Sequence, residues 1–204
     1  MKHKKHKNKK TVRRDNKVRT WIKVGIIFLI LVFGAKAIHD SGWFQRKYVY
    51  PYVYQEYIYE SALEWEIDPI LIISVMHSES KFSIHAQSHR GAIGLMQLMP
   101  DTALWIASQI HDDSFTLDKL YDPKTNIRYG TWYLSSLKRE FKGNEVLMLA
   151  AYNAGRGNVK QWMEKYNWGF DFSDHEKIPF DETRGYVAKV LRNKQAYLTL
   201  YKDQ

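Results

Sequence analysis

The sequence contains no cysteine. This absence excludes a disulfide framework, thiolate chemistry and zinc sites built on cysteine, and it is compatible with either side of a membrane. The 204 residues are 45% hydrophobic, which is enough to bury one core. Length and composition therefore predict one domain with an appendage.

An excess of positive charge is also missing from most of the chain. Residues 1–23 carry eleven lysines and arginines against Asp15, a net charge of +10, and the total is +9, so residues 24–204 carry −1. A nucleic-acid-binding protein needs a basic face on its folded part, so we expect no nucleic-acid partner. Residues 1–20 are too polar to form a core, and we predict that they are a disordered basic tail.

One long apolar run follows this tail. Residues 24–35 hold no charge, and counting over residues 21–38 reaches the length needed to span a membrane if Lys23 and Lys36 snorkel. Ala35-Lys36-Ala37 also has the small-x-small form of a signal cleavage site. Residues 21–38 are therefore a transmembrane anchor or a cleaved signal, and the unusually long basic region favours the anchor. The positive-inside rule gives one topology in both cases, with the tail in the cytoplasm and the domain outside.

The rest of the sequence shows no sustained alternation of apolar and polar residues and no internal repeat. The predicted fold is therefore mainly α, with a connector over residues 39–54 and a domain over residues 55–204. Asp68-Pro69 and Asp122-Pro123 are typical of helix starts, with an aspartate cap and a proline in the first turn. They predict helices that run to Glu79 and Phe141. Further helices are predicted over residues 145–154, 159–166 and 182–201.

Acidic residues are absent from the stretch that follows Glu79, and Asp101 is the next one. Glu79 ends an apolar helical run, where loss of solvent can raise a carboxyl pKa towards the value that a general acid needs. A solvated glutamate at a helix end is the alternative. Most glycosidases use two carboxylates, whereas substrate-assisted enzymes use one because the N-acetyl group of the sugar replaces the second. Ser88 and Gln97, further along, offer neutral hydrogen bonds suited to such a sugar.

A second string, Ala150-Ala151-Tyr152-Asn153-Ala154-Gly155, reads either as a glycine-type helix end or as the source of a catalytic hydroxyl on Tyr152. The histidines near Glu79, at positions 77, 85 and 89, do not have the spacing of a zinc site, so we expect no metal. No cofactor is expected either.

Four motifs together resemble the soluble lytic transglycosylase (SLT) family. They are Glu-Ser-x-Phe at 79–82, Gly-x-x-Gly-Leu-Met-Gln-Leu-Met-Pro at 91–100, Ala-Tyr-Asn-Ala-Gly at 151–155 and Glu-Thr-Arg-x-Tyr-Val at 182–187. The resemblance covers about residues 55–204 in the same order. It implies a lysozyme-like fold related to goose-type lysozyme, within a mainly α domain.

The resemblance also implies an activity and a site. Glu79 corresponds to the single catalytic glutamate of the family. It protonates the bond between N-acetylmuramic acid and N-acetylglucosamine in peptidoglycan and then, as a base, directs formation of a 1,6-anhydro product. Ser88 corresponds to the serine that orients the N-acetyl group and Gln97 to a subsite glutamine. Tyr152 corresponds to the active-site tyrosine, and Tyr186 matches a tyrosine that lines the groove.

Two positions depart from the family pattern. Ala150 stands where asparagine is more common, and Ile93 stands where a small or polar residue is common. Both changes affect packing or subsite shape, and neither removes a group that the chemistry requires.

Two alternatives remain open from the sequence. The first is a hydrolytic muramidase on the same fold, which needs a carboxylate such as Asp101, Asp112, Asp113 or Asp118 to activate water. The second is a non-catalytic cell-wall binding or scaffold protein. The expected partners are peptidoglycan glycan strands and, through the N-terminal segment, a membrane. The sequence predicts no oligomeric state.

Overall fold

A computed structural model describes residues 3–202 of the chain, with side chains from Arg19 onwards. The chain divides into two compact units, residues 1–51 and residues 52–204. Helices dominate both, and the described residues contain no strand, only isolated bridges that pair Ile93 with Gln87 and with Leu98. The prediction of a mainly α fold is confirmed.

The first unit consists of α1 (His3–His39), α2 (Gly42–Phe44) and a π-helix over Gln45–Val49. Within α1, Arg19–His39 has a mean hydropathy of 2.1 and no buried residues, so it is long and apolar enough to cross a membrane. A signal sequence meets the same criteria, so anchor and cleaved signal both remain open. The helix begins inside the tail predicted to be disordered. Because residues 1 and 2 and the side chains before Arg19 lie outside the described part, that disorder stays a prediction.

The second unit contains seven α-helices, and aspartate caps begin two of them. The Asp68 carboxylate accepts the Ile70 N–H at 2.9 Å, and the Asp122 carboxylate accepts the Thr125 N–H at 2.8 Å. Both predicted starts are confirmed. The helices are α3 (Gln55–Trp65), α4 (Pro69–Glu79), α5 (Pro100–Gln109), α6 (Pro123–Glu140), α7 (Glu145–Ala154), α8 (Arg156–Tyr166) and α9 (Asp181–Leu200).

Some elements differ from the sequence-based prediction. The predicted helix over 145–154 matches α7, whereas α8 begins at Arg156, three residues earlier than predicted. Helix α5 was not predicted, since Met99 at its N-terminus provides no side-chain cap. Two 3-10 helices, Leu117–Tyr121 and His175–Lys177, were also not predicted.

Helix α4 lies at the centre of the second unit. Its residues from Leu71 to Met76 are all buried, which explains why the sequence there is apolar around the whole helix. Helix α9 runs along it. The Asn193 amide donates to the Ser78 hydroxyl at 2.9 Å, and the Lys189 ammonium donates to the Ser78 carbonyl at 2.5 Å. These contacts hold α9 against the last turn of α4, where Glu79 lies.

The segment between α4 and α5, residues 80–99, is held by one buried amide. Asn126 of α6 is 0% exposed; its Oδ1 accepts the Met96 N–H at 2.8 Å and its Nδ2 donates to the carbonyls of Ile93 and Leu120 at 3.0 and 2.8 Å. A Cβ on Gly94 would lie 2.3 Å from Asn126 Nδ2, and the φ of Gly94 is +80°, so glycine is required there. Asn126 therefore fixes the position of this segment against α6.

We expect Asn126→Ala to lower the free energy of unfolding by about 3 kcal/mol or more. The change leaves the Met96 N–H and the Leu120 carbonyl without partners, and each unpaired group costs about 1–3 kcal/mol. It also removes one of the two hydrogen bonds to the Ile93 carbonyl, which keeps the Leu98 N–H. Urea unfolding of the full chain in detergent, followed by circular dichroism, measures the difference. Asn158→Ala, which removes one local bond to the Ala154 carbonyl, is the matched control and is expected to cost about 1 kcal/mol or less. Equal losses in the two variants would contradict this role for Asn126.

Candidate active site

Glu79 is the last residue of α4, and the chain turns immediately after it. The Ser80 N–H closes the helix on the Met76 carbonyl at 3.1 Å. The Ser80 hydroxyl donates to the Leu95 carbonyl at 2.8 Å and accepts the Phe82 N–H at 3.1 Å. One hydroxyl thus ties the end of the helix to the far side of segment 80–99, and it fixes the backbone that carries Glu79.

Glu79 is half-buried at the end of α4, and its carboxyl group is partly withdrawn from solvent. Burial raises its pKa to about 7, while the Tyr186 hydroxyl and the Lys189 ammonium act to lower it and the Glu182 carboxylate adds to the rise. Burial therefore outweighs the stabilising neighbours. Of the two sequence readings, the structure favours the desolvated carboxyl over the solvated one.

Two tyrosines share this environment. Burial and the proximity of Glu79 raise the pKa of both Tyr152 and Tyr186 well above the ordinary value, so both remain protonated hydrogen-bond donors at neutral pH. The Tyr152 hydroxyl donates to the Met96 carbonyl at 2.8 Å. The buried Tyr186 hydroxyl meets no acceptor within hydrogen-bond geometry among the described residues. It nevertheless lies close enough to Glu79 to act on its pKa, so its proton is available to that carboxylate or to a ligand.

Sequence reasoning missed Lys189 as a member of the site. It follows Tyr186 by three positions on α9, and this spacing puts both side chains on one face of the helix. Burial lowers the pKa of Lys189 and the Glu79 carboxylate acts to raise it. The i, i+3 spacing from Tyr186 was the available signal, but only the packing of α9 on α4 shows which face meets Glu79.

The structure places Ser88 and Gln97 in segment 80–99, where both brace the backbone. The Ser88 hydroxyl accepts the Ala92 N–H at 2.9 Å, and the Gln97 amide donates to the carbonyls of Ala86 and Gly94 at 3.0 and 2.9 Å. The Ser88 proton and the Gln97 Oε1 make no hydrogen bond within the described part of the chain. Gln97 follows Met96, whose carbonyl holds Tyr152, so it lies beside the tyrosine.

A groove of about 490 Å³, within the size range of ligand sites, lies between the end of α7 and the start of α9. Glu182, which acts on the pKa of Glu79, also lines this groove. Asn153 also lines it and accepts the Thr183 hydroxyl at 2.8 Å. At the rim, Arg90 and Glu182 form an exposed ion pair of 3.8 Å. The groove therefore lies near Glu79 through Glu182, whereas Glu79, Ser88, Gln97 and Tyr152 do not line it.

Among residues 19–202, no group of three histidine, aspartate or glutamate side chains is arranged to hold a metal ion. The ring of His77 stacks on Phe82 with centroids 5.3 Å apart, and His85 packs near Tyr121 at 6.0 Å. Both histidines are thus involved in aromatic packing.

The site can be compared with known proteins. The family model of the transglycosylase SLT domain matches residues 56–172. The soluble lytic murein transglycosylase of Escherichia coli K12 is 34% identical over 151 residues, which is 73% of this chain and 23% of that protein. The membrane-bound lytic murein transglycosylase C of Actinobacillus pleuropneumoniae is 30% identical over 173 residues, or 71% of this chain and 46% of that protein.

Two solved structures of lytic transglycosylases are also similar to this chain. The 70 kDa soluble lytic transglycosylase of Escherichia coli superposes with a TM-score of 0.72 at 32% identity, covering 79% of this chain and 26% of that one. An inactive glutamate-to-glutamine mutant of the lytic transglycosylase Slt from Pseudomonas aeruginosa gives 0.70 at 34% identity, covering 78% and 26%. The chain spans about a quarter of the length of these soluble relatives. The expected lysozyme-like SLT fold is confirmed.

We expect stability to fall between about pH 4.5 and 7 because of Glu79. Its folded pKa of about 7 lies above the ordinary 4.5, so in this window the folded state binds more protons than the unfolded state, and raising the pH favours unfolding. Glu79→Gln should remove this slope and gain on the order of 2–3 kcal/mol at pH 7.5. Urea unfolding at several pH values measures both chains. Parallel curves for the two proteins would contradict the raised pKa.

Proposed function

The chain belongs to the transglycosylase SLT domain family, and on that premise we propose that it is a peptidoglycan lytic transglycosylase. In this proposal it cleaves the β-1,4 bond between N-acetylmuramic acid and N-acetylglucosamine and leaves a 1,6-anhydro ring on the muramoyl residue. The single observation that carries the proposal is the desolvated carboxyl of Glu79, whose pKa of about 7 suits both an acid and a base at neutral pH.

Glu79 acts twice in this mechanism. The protonated carboxyl gives its proton to the glycosidic oxygen as the bond from C1 to that oxygen breaks. The resulting carboxylate then removes the proton of the muramoyl 6-hydroxyl, whose oxygen forms the new bond to C1. Glu79 regains its proton, and no water is consumed.

The neighbours of Glu79 support the step between these two transfers. The carboxylate formed by the first transfer lies near the Lys189 ammonium and the Tyr186 hydroxyl, both of which stabilise the charged form. Tyr152 remains protonated, and its single proton, donated to the Met96 carbonyl in this structure, would turn from that carbonyl towards the charge that develops on the sugar. We propose this supporting role for all three residues.

We propose that Ser88 and Gln97 receive the sugar. Their remaining capacity, one hydroxyl proton and one amide oxygen, matches the carbonyl and the N–H of an N-acetyl group. Their backbone bonds keep both side chains in place before substrate arrives.

The carboxylates around the site favour a lyase over a hydrolase. Glu182 is the carboxylate that acts on the pKa of Glu79, and 70% of its side chain is exposed, beside Arg90. Asp112, a sequence candidate for activating water, instead accepts hydrogen bonds from Ser114 and Tyr129 at 2.7 and 2.8 Å. A hydrolytic muramidase on this fold would therefore need Glu182 to hold the attacking water. Substitution of Glu182 therefore tests this alternative.

We further propose that α1 anchors the protein in the membrane with the catalytic unit outside. The apolar stretch Arg19–His39 and the cationic residues before it support this topology. The similarity to a membrane-bound transglycosylase fits an anchor, whereas the similarity to a soluble one fits secretion after signal cleavage.

Digestion of purified peptidoglycan by the full chain, followed by mass spectrometry, tests the proposed function. We expect products lighter by one water than hydrolytic fragments, because the 6-hydroxyl replaces water as the nucleophile. Reducing ends would show a hydrolase, and binding to peptidoglycan without any release would show a scaffold protein.

Matched variants assign the chemistry to a residue. Glu79→Gln is expected to lower the rate by about a thousandfold or more, since one group supplies both proton transfers. Glu182→Gln keeps Glu79 intact and should still yield anhydro ends. Full activity of Glu79→Gln in a folded protein would contradict the catalytic assignment. Loss of reducing-end products in Glu182→Gln would identify a hydrolase instead.

A further inference from the structure

A second cavity lies where the first turns of α5 and α8 meet α6. Its volume is about 410 Å³, and it is lined by Asp101, Thr102, Trp105, Tyr133 and Arg156. The proposed chemistry at Glu79 uses none of these residues. The cavity is large enough for a small ligand group.

Arg156 supplies the positive charge of this cavity. Its guanidinium carbon lies over the Trp105 ring at 4.5 Å and near the Tyr133 ring at 5.7 Å, so two aromatic faces hold it. It also pairs with Glu140 at 3.5 Å, but Lys160 binds that carboxylate more closely, at 2.5 Å. Because Lys160 compensates Glu140, and because 37% of the Arg156 side chain is exposed, the guanidinium retains donors for a ligand.

Asp101 supplies the opposite charge. Its carboxylate is exposed in the first turn of α5 and makes no hydrogen bond or ion pair within the described residues. The Thr102 hydroxyl adds a neutral donor and acceptor, and the aromatic rings offer an apolar wall. A purely anionic ligand would be repelled by Asp101, whereas a ligand with both charges would match both side chains.

Tyr133 connects this cavity to the site. Its ring packs against Tyr152 with centroids 5.4 Å apart, and Tyr152 acts electrostatically with Glu79. A group bound beside Arg156 is therefore separated from Tyr152 by a single aromatic side chain. A peptide attached to a sugar in the site can span such a separation, because an extended chain covers about 3.3 Å or more per residue.

We propose that this cavity binds a zwitterionic amino-acid end, with the carboxylate on Arg156 and the ammonium on Asp101. The inference rests on the proposed function for the identity of the ligand, a cell-wall peptide carried by the glycan strand. It adds a substrate preference for glycan strands whose peptides end in a residue with both a free amino group and a free carboxylate.

Isothermal titration calorimetry on the full-length Glu79→Gln protein in detergent tests this proposal without turnover. The probe is the tripeptide L-Ala-γ-D-Glu-meso-diaminopimelate with its alanine N-terminus acetylated, compared with the same compound acetylated also on the free amine of diaminopimelate. We expect the free form to bind about tenfold more tightly, since it makes one more charge-assisted contact. When Arg156→Gln or Asp101→Asn is added to the Glu79→Gln protein, each change should lower the affinity for the free tripeptide about tenfold.

Lys165→Gln is the matched control, since it removes an equal charge from the last turn of the same helix, α8, and leaves the pairing of Lys160 with Glu140 intact. We expect it to retain the preference for the free tripeptide. Thermal unfolding confirms that each variant is folded, and Asp101→Asn, an exposed change, provides the test if Arg156→Gln does not fold. Equal affinity for the two tripeptides, no binding, or an equal loss in the control would overturn the proposal. A wild-type protein that binds the tripeptide but releases no anhydro products would overturn the proposed function alone.

Discussion

The withdrawal of one carboxyl group from water is the constraint on which this structure depends. Glu79 ends a helix that is buried on every side, and its pKa rises to about 7 even though a lysine and a tyrosine act to lower it. Desolvation disfavours the charged form, and here it outweighs those neighbours. The same burial that costs stability at neutral pH produces a group that can donate and accept a proton there.

The surrounding architecture keeps that carboxyl in place. Helix α9 is fastened to the last turn of α4 through Ser78, which brings Tyr186 and Lys189 to Glu79. Asn126 fixes the segment after Glu79 from the opposite side, and Tyr152 joins it through the Met96 carbonyl. Each contact joins residues that are far apart in sequence, so the site exists only in the assembled fold.

The features that could be predicted from the sequence are those that depend on neighbouring residues in the chain. The caps at Asp68 and Asp122 and the helix over Glu145–Ala154 follow from side-chain chemistry within a few residues, and the structure confirms them. Asn126 and Lys189 were missed because their roles arise from packing between helices, which periodicity does not show. Gln97 was expected to serve a subsite, but the fold also uses both of its amide protons to brace the backbone. The binding roles of Ser88 and Gln97 stay proposals.

Titration of Glu79 itself tests whether its carboxyl group is protonated at neutral pH. Carbon-13 NMR of the protein labelled at the glutamate carboxyl carbons, compared with the Glu79→Gln variant, assigns the one resonance that disappears. We expect a midpoint near pH 7 for that resonance, in keeping with a desolvated carboxyl. A midpoint near the ordinary 4.5 would contradict it, because Glu79 would then be charged at neutral pH and could not begin the reaction as an acid.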